Sequence, residues 1–300
     1  MAMSGQLRLL QHPGNRLMRV RLQTDQLRAV LDSHGAELVS LQNSTGKELL
    51  WSAGTQWPRH APVLFPIIGR LANDTLHHDG RDYPMPQHGF ARDNQFAVLE
   101  TTAHTARFFL RNNPSTETMF PFPFTLESSW SVNGPTLQLI FTLTNTGPAP
   151  MPACLGWHPA FRWDPSPGWQ LQFDEEETAA VRRVNAQVQL MPGGHPSPVH
   201  RRVLTLTEDL FTDGAIIFES VKSNTVQYVS PAGPLLDLAF DDFLQFAVWK
   251  QTDADFVCLE PWAGLPAPAS YRGELLASPG QMIVQPGEEL SFSCGVTAHP

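Results

Sequence analysis

A chain of 300 residues with 42% hydrophobic content carries enough apolar material for a substantial core, which excludes an intrinsically disordered protein. The formal net charge of −9, from 29 acidic against 20 basic residues with no basic cluster, excludes a nucleic-acid partner, since binding to a phosphate backbone rests on grouped Lys and Arg. No apolar run is long enough to span a bilayer, and the start, MAMSGQLRLLQHPGNRLMRV, has none of the parts of a signal peptide, so no membrane partner and a cytoplasmic setting are expected.

The 27 prolines and 21 glycines are scattered along the whole length and interrupt short apolar runs before helical periodicity builds, which predicts an all-β fold. Candidate strands run around Met18 to Leu22, Leu27 to Leu31 and Ala36 to Leu41, the last two separated by Asp32, Ser33, His34 and Gly35 as in a hairpin. Next comes APVLFPIIGRL, Ala61 to Leu71, whose apolar segment ends in Gly69 and Arg70. That arginine is either a solvent-pointing terminus or a fork aimed into a cleft. His77 and His78, beside Asp79 and Gly80, read as an exposed hairpin tip without a role.

In QHGFAR, Gln87 to Arg92, Gly89 lets the backbone bend just after His88, so the imidazole can project from the turn with Phe90 as its anchor. The alternative is a surface loop histidine. Arg107 to Leu110, Leu137 to Thr144, Val226 to Val229 and Met282 to Val284 are further strands. Within the second, Leu137, Leu139, Phe141 and Leu143 belong to the more deeply buried face.

LGWHPAFR, Leu155 to Arg162, sets His158 between Trp157 and Pro159. Proline stiffens the backbone there, and an indole face beside an imidazole suits a sugar ring; the alternative is a core histidine bonded to a carbonyl. The acidic run Asp174 to Glu177 reads as a solvated loop, and Asp241 to Lys250 fits a strand or a turn of helix equally well.

In DFVCLEPW, Asp255 to Trp262, alternation puts Glu260 on the strand face shared by Phe256 and Cys258, with Pro261 ending the ladder and Trp262 closing the site. A carboxylate so placed is either salt-bridged to an arginine or a proton acceptor of raised pKa. Three widely spaced cysteines, Cys154, Cys258 and Cys294, read as core thiols, and nothing in the spacing anchors a metal set of Cys154, His158 and Cys258. No linker or repeat divides the chain, so residues 1–300 are expected to form a single β-sandwich domain.

With these residues in place, the chain resembles the aldose 1-epimerase (galactose mutarotase-like) family, and within it the LacX-like branch. The resemblance runs through HGAELVSLQNSTGKELLW (His34 to Trp51), PVLFPIIGRL, QHGFARD, PFPFTL (Pro121 to Leu126), LGWHPAFR and CLEPWAGLP, in the family's order. It implies a large two-sheet sandwich with a sugar in a cleft across it. It also implies His158 as general acid, Glu260 as general base, His88 as a group polarising the sugar near its ring oxygen, and Arg70 as a holder of hydroxyls. Trp157, Trp262 and Arg92 are the further residues expected at the sugar. The aspartate that binds hydroxyls in the mutarotases proper has no clear counterpart, because EDLFTD, Glu208 to Asp213, does not carry its motif.

The reaction implied is interconversion of the α and β anomers of a free hexose, which needs an acid, a base and no cofactor. A hexose-6-phosphate epimerase is the rival within the family, with Arg92 and Arg162 as candidate phosphate partners. A sugar-binding module without turnover is the rival from another class.

Overall fold

The computed structural model describes residues 18–300, so the stretch read for a targeting signal lies almost wholly outside the described residues. Among these no helix is long and apolar enough to cross a membrane.

The alternation in Leu137 to Leu143 produces the strand Thr136–Asn145, in which Leu137, Leu139, Phe141 and Leu143 are buried while Ile140 is exposed. It pairs antiparallel with Phe124–Asn133 on one side and Glu289–Ala298 on the other. Six more strands extend this to a nine-stranded antiparallel sheet, from Val203–Thr205 at one edge to Ala97–Thr101 at the other. The first three expected strands form a separate three-stranded sheet over Arg19–Gln23, Arg28–Asp32 and Glu37–Gln42.

The second large sheet runs in the order Ile216–Phe218, Gln245–Trp249, Phe256–Ala263, Leu155–Trp157, Val63–Leu64, with Ala160–Arg162 also pairing to Phe256–Ala263. The run Asp241 to Lys250 therefore resolves as a strand: Asp242 turns the chain at φ 67°, and Phe246, Ala247 and Val248 are all buried. One hydrophobic cluster joins the sheets, taking in Leu31 and Leu38, Leu139 and Phe141, and Leu155 and Leu259. Phe65 anchors an aromatic group within it, with ring centres 4.8 Å from Phe124 and 6.0 Å from Phe90.

Three local expectations are corrected. Pro261 does not end its ladder: pairing continues to Ala263, because Pro261 keeps Phe246 opposite it on one side while the strand on its other side breaks at His158 and Pro159. Asp174 to Glu177 is not wholly solvated, since Glu177 is buried and its Oε1 accepts from the Lys222 and Ser223 backbone N–H groups and the Ser223 hydroxyl. His77 and His78 do flank a hairpin turn, but they are only partly exposed: His77 lies 2.6 Å from Asp82, and the His78 ring packs on Phe122.

Candidate active site

The strand Phe256–Ala263 is buried along its whole length. Val257 and Leu259 enter the main core, while Phe256, Cys258, Glu260 and Trp262 lie on the opposite face. Across from it, Gly156 registers with Trp262 and Ala160 with Cys258, which brings His158 opposite Glu260. His158 Nε2 and Glu260 Oε2 are 3.2 Å apart. The same oxygen accepts a 3.2 Å hydrogen bond from the Trp262 indole.

His88 arrives from a bend. It has φ 62°, followed by Gly89 at φ 71°, where a Cβ would come within 2.1 Å of the Phe65 carbonyl oxygen. Only glycine fits there. The Phe65 carbonyl accepts from the Phe90 and Ala91 N–H groups, so the bend is clamped to the core. The Gly69 N–H donates to His88 Nδ1 at 3.1 Å, which leaves the proton of a neutral ring on Nε2. The ring centres of His88 and His158 are 5.7 Å apart, edge to face.

Burial governs the proton inventory. It pushes His158 down to about 3, helped by the nearby Arg92 charge, and His88 well below its ordinary range for the same two reasons. It pushes the Glu260 carboxyl well up, against a smaller opposing effect of the Trp262 hydrogen bond. Between the lowered His158 value and the raised Glu260 value the pair holds one proton, as a carboxylic acid facing a neutral imidazole.

These groups line a cleft of about 780 Å³. Its aromatic walls are Trp57, Trp249 and Trp262. Trp57 stacks on the His158 ring at 5.2 Å, and Trp249 meets that ring edge-on at 5.7 Å. Trp157, expected to offer a face to the sugar, instead points into the core against Trp130, because alternation along Leu155–Trp157 sends it to the face opposite His158. Arg92 lines the cleft, with a buried Nε that no described residue accepts and a pKa lowered by burial to about 10. Arg70 stands behind the wall: its guanidinium donates to Asp74 at 3.0 Å and to Gln87 at 3.1 Å, and Gln87 is the residue facing the cavity. Arg162, named for a phosphate, is outside the cleft, held by the Leu50 carbonyl and Ser52.

Sequence reasoning missed several cleft residues. Trp57 precedes Pro58 just as His158 precedes Pro159, and that cue went unread. Asp213, from the run set aside for lacking a motif, lines the cavity with Arg183. So does the segment carrying Val184, Asn185 and Val188, whose distance from the motifs left no signal. Every cleft residue comes from the six-stranded sheet, from loops or, for Arg92, from the 3-10 turn Ala91–Asp93; the nine-stranded sheet contributes none of them.

His158, Cys258 and Glu260 also form the one group among the described residues whose ligand atoms, within 4.8 Å of one another, could hold a metal ion. Ligation there requires the thiol and the carboxyl, both raised by burial, to give up their protons. Cys154 belongs to no such group; its thiol faces the Leu265 and Gly280 carbonyls.

The family model described as aldose 1-epimerase matches residues 18–296. Protein LacX of Lactococcus lactis, in its plasmid and chromosomal forms, is 29% identical over 264 residues, covering 83% of this chain and 88% of the relative. The structure of a galactose mutarotase related enzyme from Lactobacillus acidophilus is similar at a TM-score of 0.86 and 28% identity, covering 94% of this chain and 98% of that one. A galactose mutarotase-like protein from Lactobacillus casei gives 0.87 and 27%, covering 94% and 100%.

Proposed function

The chain belongs to the aldose 1-epimerase family, and on that premise we propose that it is an isomerase interconverting the α and β anomers of a free hexose. The observation that carries the reading is the 3.2 Å contact of His158 Nε2 with Glu260 Oε2 on the wall of a sugar-sized cleft. Passing the shared proton from the carboxyl to the imidazole creates a carboxylate and an imidazolium. Glu260 then takes the proton from the O1 hydroxyl while His158 gives one to the ring oxygen, and the C1–O5 bond breaks. Rotation about C1–C2 presents the other carbonyl face, and reclosure returns both protons.

His88, neutral and protonated at Nε2, donates a hydrogen bond near the ring oxygen and exchanges no proton. Trp57 and Trp249 hold the imidazole in plane, and with Trp262 they give the C–H faces of a pyranose an apolar wall. Arg92, Gln87 and Asp213 bind hydroxyls, with Arg70 fixing Gln87. Acid–base catalysis of this kind contributes about 10²–10⁴-fold, with positioning of the ring adding to it. Buried cysteine thiols suit a cytoplasmic setting.

Polarimetry of freshly dissolved α-glucose and α-galactose tests the proposal: equilibration should be faster with the protein than in buffer. Sugar binding without acceleration would make it a binding module instead. The Arg92 guanidinium on the cleft wall, whose Nε makes no hydrogen bond and only a 3.8 Å ion pair with Asp93, favours one second reading, a hexose-6-phosphate substrate. Competition of glucose 6-phosphate against glucose, followed by NMR anomer exchange, separates the two.

A further inference from the structure

A second cavity, of about 320 Å³, opens away from the cleft and shares none of its lining residues. It lies where the two site-bearing strands reach their other ends. Arg162, Trp163 and Asp164 follow His158 through Ala160–Arg162, and Asp255 immediately precedes Phe256–Ala263.

Its walls are aromatic: Trp51, Trp163, Trp169 and Tyr228. Trp169 and Tyr228 pack at 5.1 Å, and the Tyr228 hydroxyl is taken up by the Arg162 carbonyl, so this part of the wall is fixed. The Trp163 indole N–H is buried, and no described residue accepts it. Around the aromatic floor stand Lys47 and Arg162 on one side of the charge balance and Glu48, Asp164 and Asp255 on the other.

A ligand for this place must present an apolar face to several rings and hydrogen-bonding groups to a rim of both signs. A net charge of either sign would meet repulsion from part of that rim, whereas a neutral polyol meets none and can donate to the exposed carboxylates of Asp164 and Asp255. The volume stands at the lower end of small-ligand sites, roughly 300–1,000 Å³, which suits one ring and little more. We propose that this cavity is a second, non-catalytic binding site for a neutral pyranose. The inference does not depend on turnover in the cleft.

The test follows the tryptophan indole N–H resonances of the full chain during titration with galactose, with single Trp→Phe variants giving the assignments. Resonances of Trp51, Trp163 and Trp169 should move on a saturating curve separate from that of Trp57, Trp249 and Trp262. In a D164A/D255A double variant, whose two substituted side chains are exposed, the cavity curve should weaken at least tenfold while polarimetric turnover and the cleft curve stay unchanged. Movement confined to the three cleft tryptophans, or a cavity curve undiminished in the double variant, overturns this inference and leaves the reading of the cleft standing. Movement at the cavity without turnover does the reverse.

Discussion

Glu260 faces His158 because two antiparallel segments more than ninety positions apart in the chain share one register, Gly156 with Trp262 and Ala160 with Cys258. The two break from regular pairing only at His158 and Pro159, and there the imidazole meets the carboxyl at 3.2 Å. Removing the carboxyl while keeping its shape is the direct test. With its amide oxygen in the place of Oε2, Glu260→Gln can still accept from the Trp262 indole but has no proton to pass to His158, so kcat should fall by about 10²–10⁴-fold with KM little changed. Polarimetry over a range of galactose concentrations measures both.

The same substitution should have the opposite effect on stability at alkaline pH. Glu260 titrates well above its unfolded value in the folded protein. Its contribution is therefore complete below the ordinary carboxylate range and declines as pH rises toward the folded pKa. Glutamine removes that decline. Thermal unfolding should show the variant equal to the parent near pH 4 and more stable near pH 9.

The pH dependence of turnover should lack the inflection near 6.5 expected of an ordinary histidine acid. The competent pair carries one proton; a second adds only as pH approaches the His158 value of about 3, and the first leaves only at the raised Glu260 value. A profile of kcat/KM should be flat through the ordinary carboxylate range near 4.5, between the two shifted values. A limb centred there would contradict the shared-proton description.

The tryptophans divide into wall and core. Trp157→Ala should cost about 3–5 kcal/mol of stability, as for other large core truncations. Trp157→Phe should leave KM for galactose unchanged. Trp57→Ala removes the ring stacked on His158, and because an aromatic pair is worth about 0.5–1.5 kcal/mol, kcat should drop roughly twofold to tenfold. Denaturant unfolding beside steady-state kinetics distinguishes the two positions.

Two backbone positions behave oppositely. Gly89→Ala drives a methyl onto the Phe65 carbonyl at positive φ and should destabilise by more than about 2 kcal/mol. Val188, a β-branched residue at φ 56° on the cleft wall, pays about 1–2 kcal/mol for that conformation. Val188→Gly relieves it against an entropy cost of about 0.5–1 kcal/mol, so the melting temperature should hold or rise.

Much of this molecule was legible in the sequence where the signal is local. Alternation over Leu137 to Leu143 gave the central strand, and proline or glycine beside His158 and His88 marked stiff, bent backbone. Faces and neighbours were less legible. Trp157 sits next to His158 in sequence yet points the other way, and Trp57 lies a hundred positions from the ring it stacks on. Strand ends depend on partners too: Pro261 reads as a stop, but the neighbouring strand breaks beside it and the ladder continues.

Since the nine-stranded sheet lends no side chain to the cleft, the molecule separates durability from chemistry in space. Random mutagenesis restricted to that sheet should yield variants that differ in half-life at elevated temperature while their turnover at room temperature stays alike. It is the natural place to begin engineering a hardier catalyst.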